Sequence, residues 1–305
     1  MENKFNKYIL NKDIEKILYR SNDEKPGGTA TKVMLRDRFT DEPYMLKFQK
    51  HSTRNKSSYN DHIAEFIGSN IIKLIGYASQ NTCLALYDNI TAVLIKMFDN
   101  KLIELKNTLS YFYNMDERYL DLDSIIEGYK IRSSKININE KLFKEFLIRM
   151  LIVDYLIVNI DRHPGNIGFF RENGILVPTP FYDSGASLLT RYFDRNYEEM
   201  VKSHSLINYK ILVDGKRINF EEVLKFLSKE AGNNYYYKKE IEYVLGNYER
   251  NKEEIHRIID CIKMLGDEYI ESANQIKKLL EFTTSELRTL LTNQIENINI
   301  SWSMT

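Results

Sequence analysis

The chain is 305 residues long, with 43 basic and 43 acidic side chains and no net charge. That balance argues against nucleic acid as an obligatory partner, and a hydrophobic content of 43% is that of a folded globular chain. The two cysteines, Cys83 and Cys261, have no second cysteine or spaced histidine pair nearby. This speaks against a zinc site and for reduced core thiols. No apolar run reaches the ~18 residues of a membrane span, so the sequence reads as soluble and cytoplasmic, with no membrane partner and with export into a host left open.

Residues 1–20 have apolar spacing that fits a helix or a strand equally. Asp23-Glu-Lys-Pro-Gly-Gly-Thr-Ala-Thr-Lys32 is a small-residue loop, and a strand resumes at Val33. Backbone amides at Gly27 and Gly28, with Thr29 and Thr31 beside them, can cradle phosphate oxygens; the commoner use of paired glycines is a plain hairpin turn. After a turn at Asp41-Glu42-Pro43, residues 44–48 read as a strand whose alternation puts Met45 and Lys47 on one face. A lone lysine there either points to solvent or neutralises the α- and β-phosphates of ATP. Residues 49–58 are polar and read as an exposed loop.

Residues 61–75 read as a helix with Ile63, Phe66, Ile67, Ile71, Leu74 and Ile75 on one arc. Glu65 lies off that arc, facing solvent or a cleft; in a cleft it is the partner for Lys47. Strands at 83–87 and 91–97 follow, joined at Asp88-Asn89. The second leads into Phe98-Asp99-Asn100, the expected hinge, where adenine would stack and bond the main chain of Lys96, Met97 and Phe98. The expected division is an amino-terminal lobe over 1–97 and a larger helical lobe over 98–305.

Residues 101–139 are rich in Tyr, Asn and charge, with a helix expected at 122–129. Residues 140–158 carry the strongest helical signal, with Leu142, Phe143, Phe146, Leu147, Met150, Leu151, Val153, Leu156 and Ile157 around much of the barrel. Asp154 inside this apolar helix needs a partner and is expected to brace nearby loop backbone. Next come Asp161-Arg-His-Pro-Gly-Asn166, a strand at 167–170, a turn at Glu172-Asn-Gly174, a strand at 175–177, and Asp183-Ser-Gly185. The polar stretch 186–205 falls where an activation or substrate-binding segment would lie. Asp214-Gly215 reads as a hairpin turn, and amphipathic helices run from Phe220 to about residue 298.

Asp161, Asn166 and Asp183 therefore end three short elements, in the layout of a kinase catalytic loop and its metal site. In that layout Asp161 accepts the hydroxyl proton, and Asn166 and Asp183 hold Mg²⁺ against ATP phosphates. Mg²⁺ suits this set because it seeks hard oxygens and needs only one or two carboxylates beside phosphate. His163 reads as a loop-shaping group, since the spacing already supplies a base. Metal-assisted hydrolysis would need a second histidine close by, and none is present.

Four features together resemble the HipA-like branch of serine/threonine kinases, and its compact members most: Asn159-Ile-Asp-Arg-His-Pro-Gly-Asn166, Phe181-Tyr-Asp-Ser184, Tyr44-Met-Leu-Lys-Phe48 and the Gly27-Gly28 loop. The resemblance extends thinly to Ser58-Tyr59, Glu65 and 214–220. It implies an α+β two-lobed protein-kinase-like fold, with a small β-rich lobe and a larger helical lobe. It implies Mg-ATP as cofactor and phosphorylation of a protein Ser or Thr, often in the kinase itself. Thr29, Thr31, Ser184 and Ser187 are then candidate acceptors. By the same resemblance Asp161 is the catalytic base, Lys47 the phosphate-binding lysine, and Asn166 and Asp183 the metal ligands. Larger members carry an extra amino-terminal subdomain, for which a lysine at position 47 leaves no room; this weakens any toxin–antitoxin arrangement copied from them, though an antitoxin-like regulator remains a partner to test. Asp-Arg-His followed by Asn also resembles phosphatidylinositol kinases, so a lipid kinase is one alternative. A nucleotide-binding pseudokinase or toxin component that acts by binding is the other.

Overall fold

A computed structural model of the chain describes residues 9–10, 14–22, 31–51, 58–88, 90–98, 101–109, 118, 120–121, 140–192, 207–213, 215–233 and 235–303. It begins with β1 (Ile9–Leu10), α1 (Ile14–Ile17), β2 (Leu18–Arg20), β3 (Lys32–Asp37) and β4 (Pro43–Phe48). The short pair β5 (Lys50–His51) and β6 (Ser58–Tyr59) leads into α2 (Asp61–Leu74), followed by β7 (Thr82–Tyr87) and β8 (Ile90–Lys96). Six of these strands form one sheet in the order β1-β7-β8-β4-β3-β2. Its joins are antiparallel except the parallel one between β1 and β7. The β3–β4 register sets Lys32 opposite Lys47 and Met34 opposite Met45.

The helix α2 packs against β4, β7 and β8 and against a helix of the second half. Every residue from Asp61 to Ile72 is buried. The single apolar arc expected from the sequence is thus incomplete as a description, because neighbours cover this helix on all sides. Gly68 permits part of that closeness: a Cβ there would lie 2.9 Å from Ser184 Cβ, inside normal contact.

The second half contains β9 (Ile103–Glu104), α3 (Leu105–Leu109), β10 (Leu120–Asp121) and α4 (Glu140–Leu156). The hairpin β11 (Gly168–Glu172) and β12 (Ile175–Pro178) follows, then β13 (Asn208–Val213) and β14 (Lys216–Asn219). Three helices complete it: α5 (Phe220–Asn233), α6 (Tyr235–Asp260) and α7 (Glu268–Ser303). β9 joins the β11–β12 hairpin, and β10 joins β13–β14, giving two small three-stranded sheets. The expected strands flanking the 172–174 turn are present, as are the carboxyl-terminal helices. Leu142 does not join the core; it is 45% exposed near the start of α4. The expected loop glycines Gly27 and Gly28, Thr29, the hinge residues Asp99 and Asn100, the 122–129 helix and Asp214 lie outside the described residues.

One apolar core runs through both halves, from Met34 and Met45 through Phe66 and Ile71 to Phe143, Leu151, Tyr248 and Leu280. Polar bonds follow the same path. The amide groups of Asn247 and Asn251 on α6 donate to the carbonyls of Ile75 and Leu74 at 3.1 and 2.9 Å, capping the end of α2. Ser79 and Phe181 form a parallel bridge next to the site. Among the described residues no helix is long and apolar enough to cross a membrane.

Candidate active site

α4 ends because Val158 turns to φ 50°, and the loop that follows is braced from beneath. Asp154, fully buried in the last turn of α4, accepts from Arg162 Nε and Nη2 at 2.8 and 2.9 Å and from Asn159 Nδ2 at 3.0 Å. Arg162, only 1% exposed, then donates to the carbonyls of Asn166 and Tyr182 at 2.7 and 3.2 Å. Asp154 therefore braces the loop backbone, as expected, and does so through a bidentate arginine. A buried guanidinium with its charge paired and two carbonyls to fill is geometrically stiff. It ties Asn166 and Tyr182, the residue before Asp183, to one anchor.

His163 shapes the loop as expected. Its Nδ1 accepts from the Gly165 N–H at 3.1 Å, and burial together with Lys210 and Arg162 holds its pKa below the usual imidazole value against the pull of Asp161. Asn166 Nδ2 donates to the Asp161 carbonyl at 3.1 Å, which fixes the amide and leaves Oδ1 as its acceptor.

Across the cleft, Lys47 Nζ donates to Glu65 Oε2 at 2.7 Å and to Asp183 Oδ1 at 2.8 Å. The solvent-facing choice for both Lys47 and Glu65 is removed: Lys47 is 8% exposed and Glu65 0%. Burial alone would depress the ammonium of Lys47, but Asp183 and Glu65 outweigh it and raise its pKa. Burial raises the Glu65 carboxyl above its ordinary range; Lys47 opposes this and Asp183 adds to it. For Asp183, desolvation is outweighed by Lys47, with Lys32 and Arg162 helping, and its pKa falls below the usual range. Glu65 Oε1 also accepts the Ser184 N–H at 3.0 Å, locking α2 to the segment after Asp183. Asp183 itself takes φ 54°, a left-handed conformation that Asp and Asn tolerate better than most residues.

These groups share one cavity of about 220 Å³. Lys32, Met45 and Lys47 line it from the sheet, Glu65 from α2, and Met97 and Phe98 from the end of β8. His163, Gly165, Asn166, Tyr182 and Asp183 line it from the opposite side. Asp161 is not in this lining; it stands beside it, close enough that both Asp161 and Asp183 act electrostatically on His163 and Arg191. The Asp161 carboxylate meets Lys210 Nζ at 2.5 Å and lies 4.0 Å from Arg191.

At the expected adenine edge, two main-chain donors already have partners. The Lys96 N–H bonds the Asn81 carbonyl and the Met97 N–H bonds the Pro43 carbonyl. The Lys96 side chain pairs with Glu42 at 2.6 Å, away from a nucleotide role of its own. Phe98 stands edge-on to Phe170 and Tyr182, with ring centroids 5.2 and 5.9 Å away. Thr31 is exposed at the start of β3. Ser184 and Ser187 are wholly buried, so as the chain stands neither can meet an incoming phosphoryl group.

The sequence reading missed Lys32, whose place opposite Lys47 follows only from strand register. It also missed the ion pair of Arg191 with Asp61, at 2.9 Å through both Nε and Nη2, and the pairing of Lys210 with Asp161. No local pattern signals these; tertiary folding brings the partners together.

A divalent ion fits the donor set. Asn166 Oδ1 and the second oxygen of Asp183, Oδ2, are hard acceptors on one cavity. Among the described residues no cluster of three His, Cys, Asp or Glu could hold a metal alone. Such a pair suits Mg²⁺, which keeps part of its shell for phosphate and water.

The sequence model of the HipA-like C-terminal domain matches residues 25–187. The serine/threonine-protein kinase CtkA of Helicobacter pylori is 29% identical over 194 residues, which are 61% of this chain and 58% of that relative. The crystal structure of a Helicobacter pylori proinflammatory kinase CtkA superposes with a TM-score of 0.73 at 23% identity, covering 91% of this chain and 96% of that one. A chain from the Shewanella oneidensis toxin–antitoxin complex of HipA, HipB and operator DNA gives a TM-score of 0.56 at 17% identity, covering 90% and 67%. The two structural likenesses show the α+β, two-lobed kinase-like fold. With more than half of its length matched by the family's own pattern, the chain belongs to the HipA-like C-terminal domain family.

Proposed function

We propose that the chain is an ATP- and Mg²⁺-dependent serine/threonine protein kinase that transfers the γ-phosphoryl group to a protein hydroxyl. One observation carries this reading: Lys47 Nζ, within 2.8 Å of both Glu65 and Asp183, lies on the same cavity as Asn166. That is the apparatus for holding a polyphosphate between a cation and a metal site. The name of the relative CtkA supports the same class.

The nucleotide lies between a lobe over 1–97 and a lobe over 98–305. Lys47, with Lys32 across the register, meets the phosphates, and Gly27, Gly28, Thr29 and Thr31 are the further phosphate contacts expected from the sequence. The adenine lies against Phe98 and the main chain at Lys96, Met97 and Phe98. Glu65 keeps Lys47 aimed. Asn166 and Asp183 would hold Mg²⁺, which offsets phosphate charge when bound. The acceptor oxygen attacks the γ-phosphorus, its proton passes to Asp161, and the bridging oxygen leaves with ADP. Positioning and electrostatics supply most of the rate, since the protein forms no bond to the phosphoryl group. Self-phosphorylation falls on the loop threonines, Thr29 or Thr31, because Ser184 and Ser187 are buried. An antitoxin-like protein is a candidate regulator, supported by the HipA–HipB assembly of the Shewanella relative; a small protein that co-purifies with the chain is its test.

The test of the activity is incubation with labelled ATP and Mg²⁺, alone and with a generic protein substrate. Wild type is expected to label Ser or Thr. Asp161→Ala and Asp183→Ala are expected to abolish labelling while the chain stays folded, and only Asp183→Ala should weaken the Mg²⁺ dependence of nucleotide binding. ATP bound but never turned over by wild type would leave a binding protein instead of a kinase.

A further inference from the structure

Asp161 lacks a cation from its own loop. The one arginine there, Arg162, is buried and wholly engaged by Asp154 and two carbonyls. The cation that does reach Asp161 comes from far along the chain, beyond the residues matched by the family pattern. Lys210 sits in the middle of β13, where the register against β14 shifts between Asn208 and Leu212. Such an irregularity releases main-chain groups from the ladder and re-aims side chains. Here the Lys210 N–H donates to the carbonyl of Ile160 at 3.1 Å, the residue just before Asp161. Arg217 covers the opened strand by donating to the carbonyls of Tyr209 and Asn208 at 2.7 and 3.3 Å. Tyr209 and Ile211 point into the core with no exposure, so alternation turns Lys210 to the other face. Its Nζ lies 2.5 Å from Asp161 Oδ1.

We propose that Lys210 is a positioning residue for phosphoryl transfer, an inference that rests on the kinase reading above. Two bonds, one from backbone and one from side chain, clamp both ends of the Ile160–Asp161 step. The ammonium fixes Oδ1 and leaves Oδ2 to take the acceptor's proton. Arg191, at 4.0 Å from Oδ2 and held by Asp61, is too far to hydrogen-bond and so does not block that oxygen. In the step itself, the acceptor oxygen bonds to the γ-phosphorus as the bond to the β–γ bridging oxygen breaks. The electron pair of that bond leaves on ADP, and the hydroxyl proton ends on Asp161 Oδ2. Without Lys210 the carboxylate, 25% exposed at a loop, would turn among several orientations of which few accept that proton.

The test measures kcat, KM for ATP, Mg-ATP affinity by calorimetry and thermal midpoint for five chains: wild type, Lys210→Ala, Lys210→Arg, Asp161→Asn and the double variant Lys210→Ala/Asp161→Asn. Lys210→Ala is expected to lose about 100-fold in kcat, the scale of one preorganised polar group, with Mg-ATP affinity and midpoint unchanged. Lys210→Arg should recover most of the loss. The double variant should be no slower than Asp161→Asn alone, because the lysine works through that carboxylate. Should alanine unfold the hairpin, Lys210→Gln reads the same split. An unchanged or raised kcat in Lys210→Ala would overturn the proposal and make the ion pair a latch over the base. A parallel loss of ATP affinity would overturn it too, by placing the lysine on the nucleotide. If wild type transfers no phosphate, the kinase reading falls and this inference with it; if Asp161→Asn abolishes transfer and Lys210→Ala does not slow it, this inference falls alone.

Discussion

Lys47 holds two carboxylates that would otherwise repel each other inside the protein. Its stem is buried, Glu65 has no exposure at all, and Asp183, with 44% of its side chain accessible, is the most open of the three. Removing the ammonium strands a buried carboxylate, a change that costs about 3 kcal/mol in comparable pairs. Lys47→Met is therefore expected to lower stability by that order and to abolish phosphate transfer. Adding Glu65→Gln should return much of the stability and none of the activity, which denaturant titration and a labelling assay read separately. His62, one turn from Glu65, gives a different signal. It is 1% exposed, neither ring nitrogen has a hydrogen-bond partner, and burial with Lys47 nearby pushes its pKa down to about 4 from 6.5. The folded-state value is depressed, so the contribution is fully present above pH 6.5. It is lost as pH falls towards 4, where the unfolded chain takes up a proton that the folded one refuses. The lost stability is about 3 kcal/mol at one pKa unit per 1.36 kcal/mol. His62→Gln should flatten the stability profile between those two pH values; an identical slope in the variant would mean another group titrates there.

At the scale of elements, α2 is the part on which the site depends, and it is held from three sides. Its face carries Glu65 to Lys47 and to the Ser184 N–H, its first residue Asp61 is gripped by Arg191, and its last carbonyls are capped from α6 by Asn247 and Asn251. A helix end without those caps would leave buried carbonyls unmet. Asn251→Ala and Asn247→Ala should each cost about 1 kcal/mol of stability, the usual net worth of one such bond. Gly68→Ala is expected to cost activity as well, since its new Cβ would meet Ser184 Cβ at 2.9 Å and push α2 away from the segment that carries Asp183 and Ser184. A Gly68→Ala chain with wild-type labelling and midpoint would show that α2 has room to spare. The loop that carries Asp161 is secured similarly: Thr283 on α7 donates to the Leu156 carbonyl at 2.9 Å, and the Leu188 N–H to that of Ile157 at 2.7 Å.

Across the whole molecule, what could be read from sequence follows the reach of the interactions. Asp161, Asn166 and Asp183 lie on either side of one short hairpin, so spacing alone brought them together on paper. Glu65 could not be placed, because a helical wheel assumes one wet face and α2 has none. Lys32 needed the β3–β4 register, and Arg191 and Lys210 needed the completed fold. The boundary expected near residue 97 suggests two bodies, yet the apolar core crosses it without interruption, from the β3–β4 methionines to α6 and α7. Hydrogen bonds from α6 to the end of α2 and the Ser79–Phe181 bridge cross it too. A lobe that separated would expose the apolar surface of α2 and break its caps at once, so independent melting of the two halves is strongly disfavoured. The full chain is therefore expected to unfold in one cooperative transition, with a calorimetric enthalpy equal to the van't Hoff value. Near-ultraviolet and far-ultraviolet circular dichroism should give the same midpoint. Two resolved transitions would mean that the continuous core contributes less than its burial implies, and that the amino-terminal sheet carries α2 as a unit of its own.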